Sequence, residues 1–309
     1  MNNIQLRTCR KTETDAFLSK TITHPLFQNA FAALAGAHRT HGNLAKGVML
    51  LGPSGVGKTT VIKYYARSVA RSTTDTHSYK TVLHINTPPS ATIKDVLSEL
   101  LFALGDPAPD KGTERAMNQR FRKLALALKV ELLVLDEVQH LLPHNAQKDT
   151  RTVSNFIKNL MSDLQIPVVL CGLEEASQIG RGHAEFKRRF AATCILRPFS
   201  IQTDEDRDYF AQYMLKCEKM LESVGVKTIS LTSEQMLERF FLSSEGKPAL
   251  ISDVIEQALE NADLSSTLTV TDYAKAWAFA VHDPLEARVS NPFHMRGEVL
   301  KRHIAKGSK

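Results

Sequence analysis

Residues 52–59 read Gly52-Pro53-Ser54-Gly55-Val56-Gly57-Lys58-Thr59, followed by Thr60. This is the complete G-x-x-x-x-G-K-[ST] phosphate-binding pattern. The chemistry it suits is capture of a nucleoside triphosphate. Glycines let the backbone curl until successive N–H groups face the phosphates, and the helix that follows adds the partial positive charge of its N-terminus. Lys58 is spaced to reach the terminal phosphates, and the Thr59 hydroxyl to hold Mg²⁺. About 80 residues later, Leu132-Leu133-Val134-Leu135 runs into Asp136-Glu137. An acid at the carboxyl end of a neighbouring strand completes Mg²⁺ binding through water, the role expected of Asp136. Glu137, one residue on, is suited to act as general base on the attacking water.

These groups work only if strands and helices hold them. Val48–Leu51 reads as a buried strand before the loop, and Thr59–Ala70 as the helix after it. Leu26–His38 has helical spacing just ahead. Four more short apolar runs, Thr81–Ile85, Leu132–Leu135, Val168–Cys171 and Cys194–Leu196, alternate with helical patterns. Alternation of this kind predicts a parallel sheet covered on both faces. Beyond Pro198 strand-like runs fade. Asp204–Val224 looks helical, Thr232 with Gln235 fits a capping box for a helix to Phe241, and Pro248 opens another. Thr271–Val281 makes one more helix, with the only tryptophan, Trp277. The expected organisation is a polar N-terminal arm (1–24), an α/β nucleotide-binding domain (25–199), a small all-helical domain (200–283) and a basic tail (284–309).

Composition narrows the setting. The chain has 309 residues and a net charge of +6, which permits contact with nucleic acid without requiring it. No stretch approaches the ~18 apolar residues of a membrane span. Cys9, Cys171, Cys194 and Cys217 are scattered, with no C-x-x-C pair. A reduced, cytoplasmic protein with neither zinc site nor disulfide framework is expected. The tail residues Arg296, Lys301, Arg302, Lys306 and Lys309 are either solvated or available to DNA or a partner.

The order of these motifs resembles the AAA+ ATPases, and within them the TniB/TnsC family that regulates transposition. The resemblance spans roughly residues 20–295. It is carried by His24-Pro25, the loop at 52–60, Asn86-Thr87-Pro88-Pro89, LLVLDEVQHL at 132–141, PVVLCGLEEA at 167–176, KRRF at 187–190 and the NPF at 291–293. It implies an AAA+ phosphate-loop domain with a parallel five-stranded sheet flanked by helices, then a small all-helical lid. It also implies ATP with Mg²⁺ as ligands and assembly into rings or helical filaments. Arg189 occupies the family's arginine-finger position, with Arg188 as second candidate. Two positions depart from the family. Leu173 stands where many relatives have a polar sensor. Leu250 stands where the lid often has an arginine, leaving Lys247 as the lid-sensor candidate. Hydrolysis is therefore expected to be slow.

The same resemblance places duplex DNA against the segment Thr87–Leu128, with Lys94 and Thr113 at matching contact positions. Such contacts would grip phosphates without reading sequence. The implied partners are the protein itself, a transposase and a TniQ-type adaptor. Phe293 is an apolar anchor, onto either this chain's own lid or a neighbour's. Two other functions fit the motifs: an AAA+ replication initiator or helicase loader, and a scaffold ATPase that switches protein partners without DNA. The helical region, already assigned as lid, leaves no space for the separate DNA-reading domain that the initiators usually carry.

Overall fold

The computed structural model describes residues 13–71, 79–142, 150–261, 267–280 and 290–307. Cys9, Lys309, Val281 and the start of the tail at 284–289 lie outside the described residues. The chain divides into two compact units, Leu26–Arg197 and a second made of residues up to 25 together with 198 onward.

The first unit is built on five parallel strands: β1 (Val48–Leu51), β2 (Val82–Asn86), β3 (Leu132–Asp136), β4 (Val168–Gly172) and β5 (Ala192–Ile195). Their spatial order is β2-β3-β4-β1-β5. Helices α1 (Pro25–His38), α2 (Lys58–Ser68), α3 (Ile93–Ala103), α4 (Glu114–Ala127), α5 (Thr150–Leu164) and α6 (Ala184–Arg189) connect and cover them. Alternate residues of each strand enter different cores, as the period of two requires. Val48, Leu50, Leu132, Val134, Val169 and Cys171 pack with α1 and α2. Met49, Leu51, Leu133, Leu135, Val168 and Leu170 pack with α3, α4 and α5. Both faces of the central strands β1, β3 and β4 are thus dry, which is why those strands read as unbroken apolar runs.

β5 begins earlier than the run Cys194–Leu196 suggests. It is an edge strand paired only to β1, and Ala192, Thr193 and Ile195 are exposed, so apolar patterning does not mark it.

The second unit is helical: α7 (Asp204–Ser223), α8 (Glu234–Ser244), α9 (Pro248–Asn261), α10 (Val270–Ala280) and α11 (Gly297–Gly307). Four local expectations change here. The N-terminal arm is not merely polar, because residues 13–18 are helical and Phe17 is buried in this unit's core. The cap of α8 is Ser233, not Thr232. The Thr232 hydroxyl instead pairs with Ser230 Oγ at 3.0 Å, and Leu231 is held by its N–H on Glu218 at 3.0 Å. The helix runs past Phe241 to Ser244, where Glu245 and Gly246 turn the chain at positive φ. Part of the basic tail is also ordered, as α11, with Leu300 fully buried.

Phe293 is an anchor within this unit. It meets Phe240 edge-on at 5.2 Å and lies 6.0 Å from Tyr273. Asn291 secures the turn, accepting the Phe293 N–H and donating to the Ala274 carbonyl at 2.8 Å. The Arg239 guanidinium donates to the carbonyls of Phe293 and Met295. Phe240 is fully buried at the centre of this aromatic cluster.

Two outcomes follow from this packing. Phe240→Ala should cost about 3–5 kcal/mol, read by denaturant unfolding of the helical unit. His24 packs between Phe199 and Tyr213, at 4.8 and 5.7 Å. Burial first, and the nearby Lys216 charge second, push its pKa down to about 4. Below the usual histidine pKa the unfolded chain takes up a proton that the folded chain refuses until about 4. Stability is therefore full at neutral pH and falls as pH drops from about 6.5 toward 4. His24→Phe should flatten that part of the profile of unfolding midpoint against pH.

Candidate functional site

The carboxyl ends of β1, β3 and β4 meet at one edge of the sheet. Leu51 lies beside Gly172 in register, and Leu135 beside Leu170. The chain leaves β1 through the glycine-rich loop and enters α2 at Lys58. Gly57 caps that helix in the left-handed region, at φ 94° and with no side chain to contribute. Gly52 has φ 154°, and a Cβ there would lie 2.1 Å from the Leu196 carbonyl oxygen. Only glycine lets the loop leave β1 so close to the exit of β5. The Gly52 N–H donates to the Gly172 carbonyl at 3.1 Å.

Lys58 is 5% exposed, and its ammonium donates to the carbonyls of Gly52 and Pro53, both at 2.8 Å. Among the described residues no carboxylate forms an ion pair with it. A buried cation held only by neutral carbonyls carries a desolvation cost on the order of several kcal/mol, which an arriving anion offsets. This observation tests the site for a polyphosphate, and the residues present fit one.

Asp136 supplies the acidic side. It is 1% exposed. Its Oδ2 accepts the Thr59 hydroxyl at 2.8 Å and His84 Nε2–H at 3.3 Å, while Oδ1 accepts the Glu137 N–H at 2.9 Å. Burial would raise this carboxyl's pKa. Hydrogen bonds from His84, the Cys171 thiol, Thr59 and the Glu137 N–H together outweigh it, so the group stays well below the usual carboxylate range. Burial, and then the Asp136 charge, pushes the Cys171 thiol upward, which keeps it a donor. Thr59 and the ionised Asp136 form a pair of oxygen ligands suited to Mg²⁺, which takes few protein ligands and fills its shell with water and phosphate. Among the described residues no group of three or more His, Cys, Asp or Glu is arranged to hold a metal by itself.

Glu137 is half-buried and sits at φ 53° and ψ 37°, in the left-handed region. One carboxylate oxygen accepts the side-chain amide of Gln139. Leu173 offers no polar side chain, but its N–H donates to Gln139 Oε1 at 3.1 Å.

The structure therefore gathers Gly52–Thr59, Asp136 and Glu137 at one edge. Arg188 and Arg189 lie elsewhere. The Arg189 carbonyl accepts the N–H of Gly47, ahead of β1, so both arginines stand at the opposite edge of the sheet from their own phosphate loop. Arg189 is half-buried, donating to Ser162 Oγ at 2.9 Å, while Arg188 is exposed. Lys94 is exposed near the start of α3; the Asp110 carboxyl, in the turn before α4, has its pKa lowered first by the hydrogen bond from Lys111 and least by the Lys94 charge. Thr113 caps α4, accepting the Ala116 N–H at 3.3 Å. In the helical unit Lys247 pairs with Glu245 at 2.5 Å.

Sequence reasoning passed over His84, Cys171 and Gln139. A signal for the first two existed: a histidine and a cysteine inside apolar strands, each at the parity that shares a sheet face with Asp136. Gln139 had no such signal, because its partner at 173 is reached only through the fold.

Comparison with known proteins bears on the family and the fold. The family model described as "Bacterial TniB protein" matches residues 18–198. A search of curated proteins gave no match. Among solved structures, the fold is similar to the Aeropyrum pernix ORC1 protein in complex with DNA, at 17% identity and a TM-score of 0.57, over 86% of this chain and 68% of that one. It is also similar to the ORC2 protein of the same organism in ADPNP–ADP complexes, at 14% identity and TM-score 0.56, covering 92% and 78%. A Walker-type ATPase of Pyrococcus abyssi follows at 14% and 0.53, covering 80% and 71%. At such identities the likeness concerns the fold, an AAA+ phosphate-loop domain with a helical domain. No helix among the described residues is long and apolar enough to cross a membrane.

Gly52→Ala should weaken ATP binding by at least about tenfold, since the new methyl must displace either the loop or the exit of β5. Calorimetric titration of nucleotide checks this, with thermal unfolding run in parallel to separate the local effect from global loss of structure.

Proposed function

Because this chain belongs to the TniB family, whose model matches more than half of its length, we propose that it is an ATP-dependent, DNA-binding regulator of transposition. In this reading ATP drives assembly on target duplex DNA as a ring or helical filament. The assembly recruits a transposase, with a TniQ-type adaptor as a further partner, and hydrolysis resets it. The observation that carries the ATP step is the buried Lys58 ammonium, held by two carbonyls and paired with no carboxylate among the described residues.

Lys58 and the backbone N–H groups of Ser54–Gly57 hold the phosphates, beside Gly52 and Pro53 and with Thr60 in the first turn of the helix. Thr59 and Asp136 hold Mg²⁺, which when bound neutralises charge on the phosphate oxygens. Glu137 takes the proton of a water as that water bonds to the terminal phosphorus, and the bond to the ADP oxygen breaks. Arg189, with Arg188 beside it, serves a neighbouring subunit's ATP, which accords with its place at the opposite sheet edge. It must first leave Ser162. A fork of guanidinium donors at the terminal phosphate both speeds hydrolysis and makes ATP a bond between subunits. Leu173 in the sensor position favours a slow rate, and so a long-lived assembly. Lys247 remains a lid sensor only if it exchanges Glu245 for phosphate.

Lys94 and Thr113 are the proposed phosphate-backbone contacts of the DNA. Lys94 is free to move its charge, and the Thr113 hydroxyl keeps its proton to donate while its oxygen caps α4. The likeness to ORC proteins favours one second reading, a replication initiator or loader. It shares the ATP-dependent DNA step and differs in the partner recruited.

ATP-loaded protein should be retained on duplex DNA of unrelated sequences, with retention falling steeply as salt rises. Lys94→Ala should reduce the salt slope by about 1 without imposing sequence preference. Lys58→Ala should abolish retention together with the rings or filaments seen by electron microscopy, whereas Glu137→Gln should prolong them. Protein that ignores duplex DNA at low salt with ATP present overturns the reading.

A further inference from the structure

We propose that Gln139 is a positioning residue for ATP hydrolysis, clamping the Glu137 carboxylate to the end of β4. The inference rests on the reading of Glu137 as the general base.

The side-chain amide of Gln139 has two faces of opposite character, and each has a matching partner. The Leu173 N–H needs an acceptor and finds Gln139 Oε1 at 3.1 Å. A Glu137 carboxylate oxygen needs a donor and finds Gln139 Nε2. Only one orientation of the amide satisfies both, so the network itself fixes which atom is oxygen and which nitrogen. Gln139 is 9% exposed, which leaves it little freedom to seek other partners.

The surroundings hold that orientation. Gln139 lies across Gly172, where an added Cβ would stand 2.3 Å from Oε1 and 3.3 Å from the Val138 side chain. A glycine at the end of β4 is thus a requirement of this clamp. Glu137 itself turns the backbone at φ 53°, an uncommon conformation for a residue with a side chain, and this turn brings residue 139 back toward 137. One carboxylate oxygen is engaged and the other is left to accept a proton.

The clamp also touches the phosphate loop. The Gly172 carbonyl accepts the Gly52 N–H at 3.1 Å, and Gly172 sits beside Leu51 in register. Loop, strand end and base are therefore joined through one residue. Leu173 carries no polar side chain, and its backbone together with Gln139 performs the connection that a polar side chain at that position would make.

The test uses the full chain with Mg-ATP, measuring single-turnover hydrolysis, affinity for a fluorescent ATP analogue and thermal unfolding. Gln139→Ala and the isosteric Gln139→Glu, which keeps the acceptor for Leu173 but loses the donor, should each lower the hydrolysis rate roughly ten- to a hundredfold, with affinity held within about twofold. Gly172→Ala should reproduce the loss, and in the Gln139→Ala background it should add less than about twofold. Combined with Glu137→Gln, the Gln139→Ala change should cost nothing further. Loss of affinity and unfolding midpoint in step with rate would assign Gln139 a structural role only and overturn the proposal. So would a wild-type rate in both Gln139 variants while Glu137→Gln is inactive. Wild-type turnover by Glu137→Gln would instead remove the base assignment itself, and the proposal with it.

Discussion

A single buried positive charge organises the nucleotide site. The Lys58 ammonium is enclosed by the loop that precedes it and held by two carbonyls of that same loop. A cation in such a place is tolerable only while neutral acceptors crowd it, and it becomes favourable when an anion arrives. The loop can enclose it because β1 ends between two other parallel strands, all of whose carboxyl ends open to the same side. The sheet in turn is rigid because both of its faces are packed with aliphatic side chains.

The acidic half of the site depends on the same parity. Strand residues on one face share neighbours, and Asp136, His84 and Cys171 all fall on the face that packs against α2. The helix that begins at Lys58 therefore brings Thr59 directly onto Asp136. The carboxylate stays ionised in a buried setting because four donors converge on it. The other face of the sheet is packed with apolar side chains, among them Met49, Leu51, Leu133 and Leu170. It supplies mass and stiffness.

Much of this architecture was legible from the chain. Gly52–Thr59 carries its conformation in its composition, since glycine is the residue that tolerates the turns and the close approach to Leu196. The central strands announced themselves because burial on two faces demands continuous apolar runs. Asp136 was visible as the acid ending such a run. β5 was blurred because an exposed edge strand needs no such run. The cap of α8 was misplaced by one residue because a neighbouring hydroxyl competes for Thr232. Helix α11 was hidden in a stretch whose charge reads as a solvated tail, yet Leu300 is enough to seat it.

The sequence by itself determined the ligand class, the alternation of strand and helix, and the family, because each is written in local spacing that survives without knowledge of distant contacts. The tertiary structure decided what local spacing cannot express. It put Gln139 between Glu137 and Leu173, set Arg189 on Ser162 at the sheet edge away from its own loop, and turned Phe293 into the helical core. Each of these contacts depends on the register of strands or the docking of helices far apart in the chain. Their partners are chosen by packing geometry rather than by neighbours in sequence.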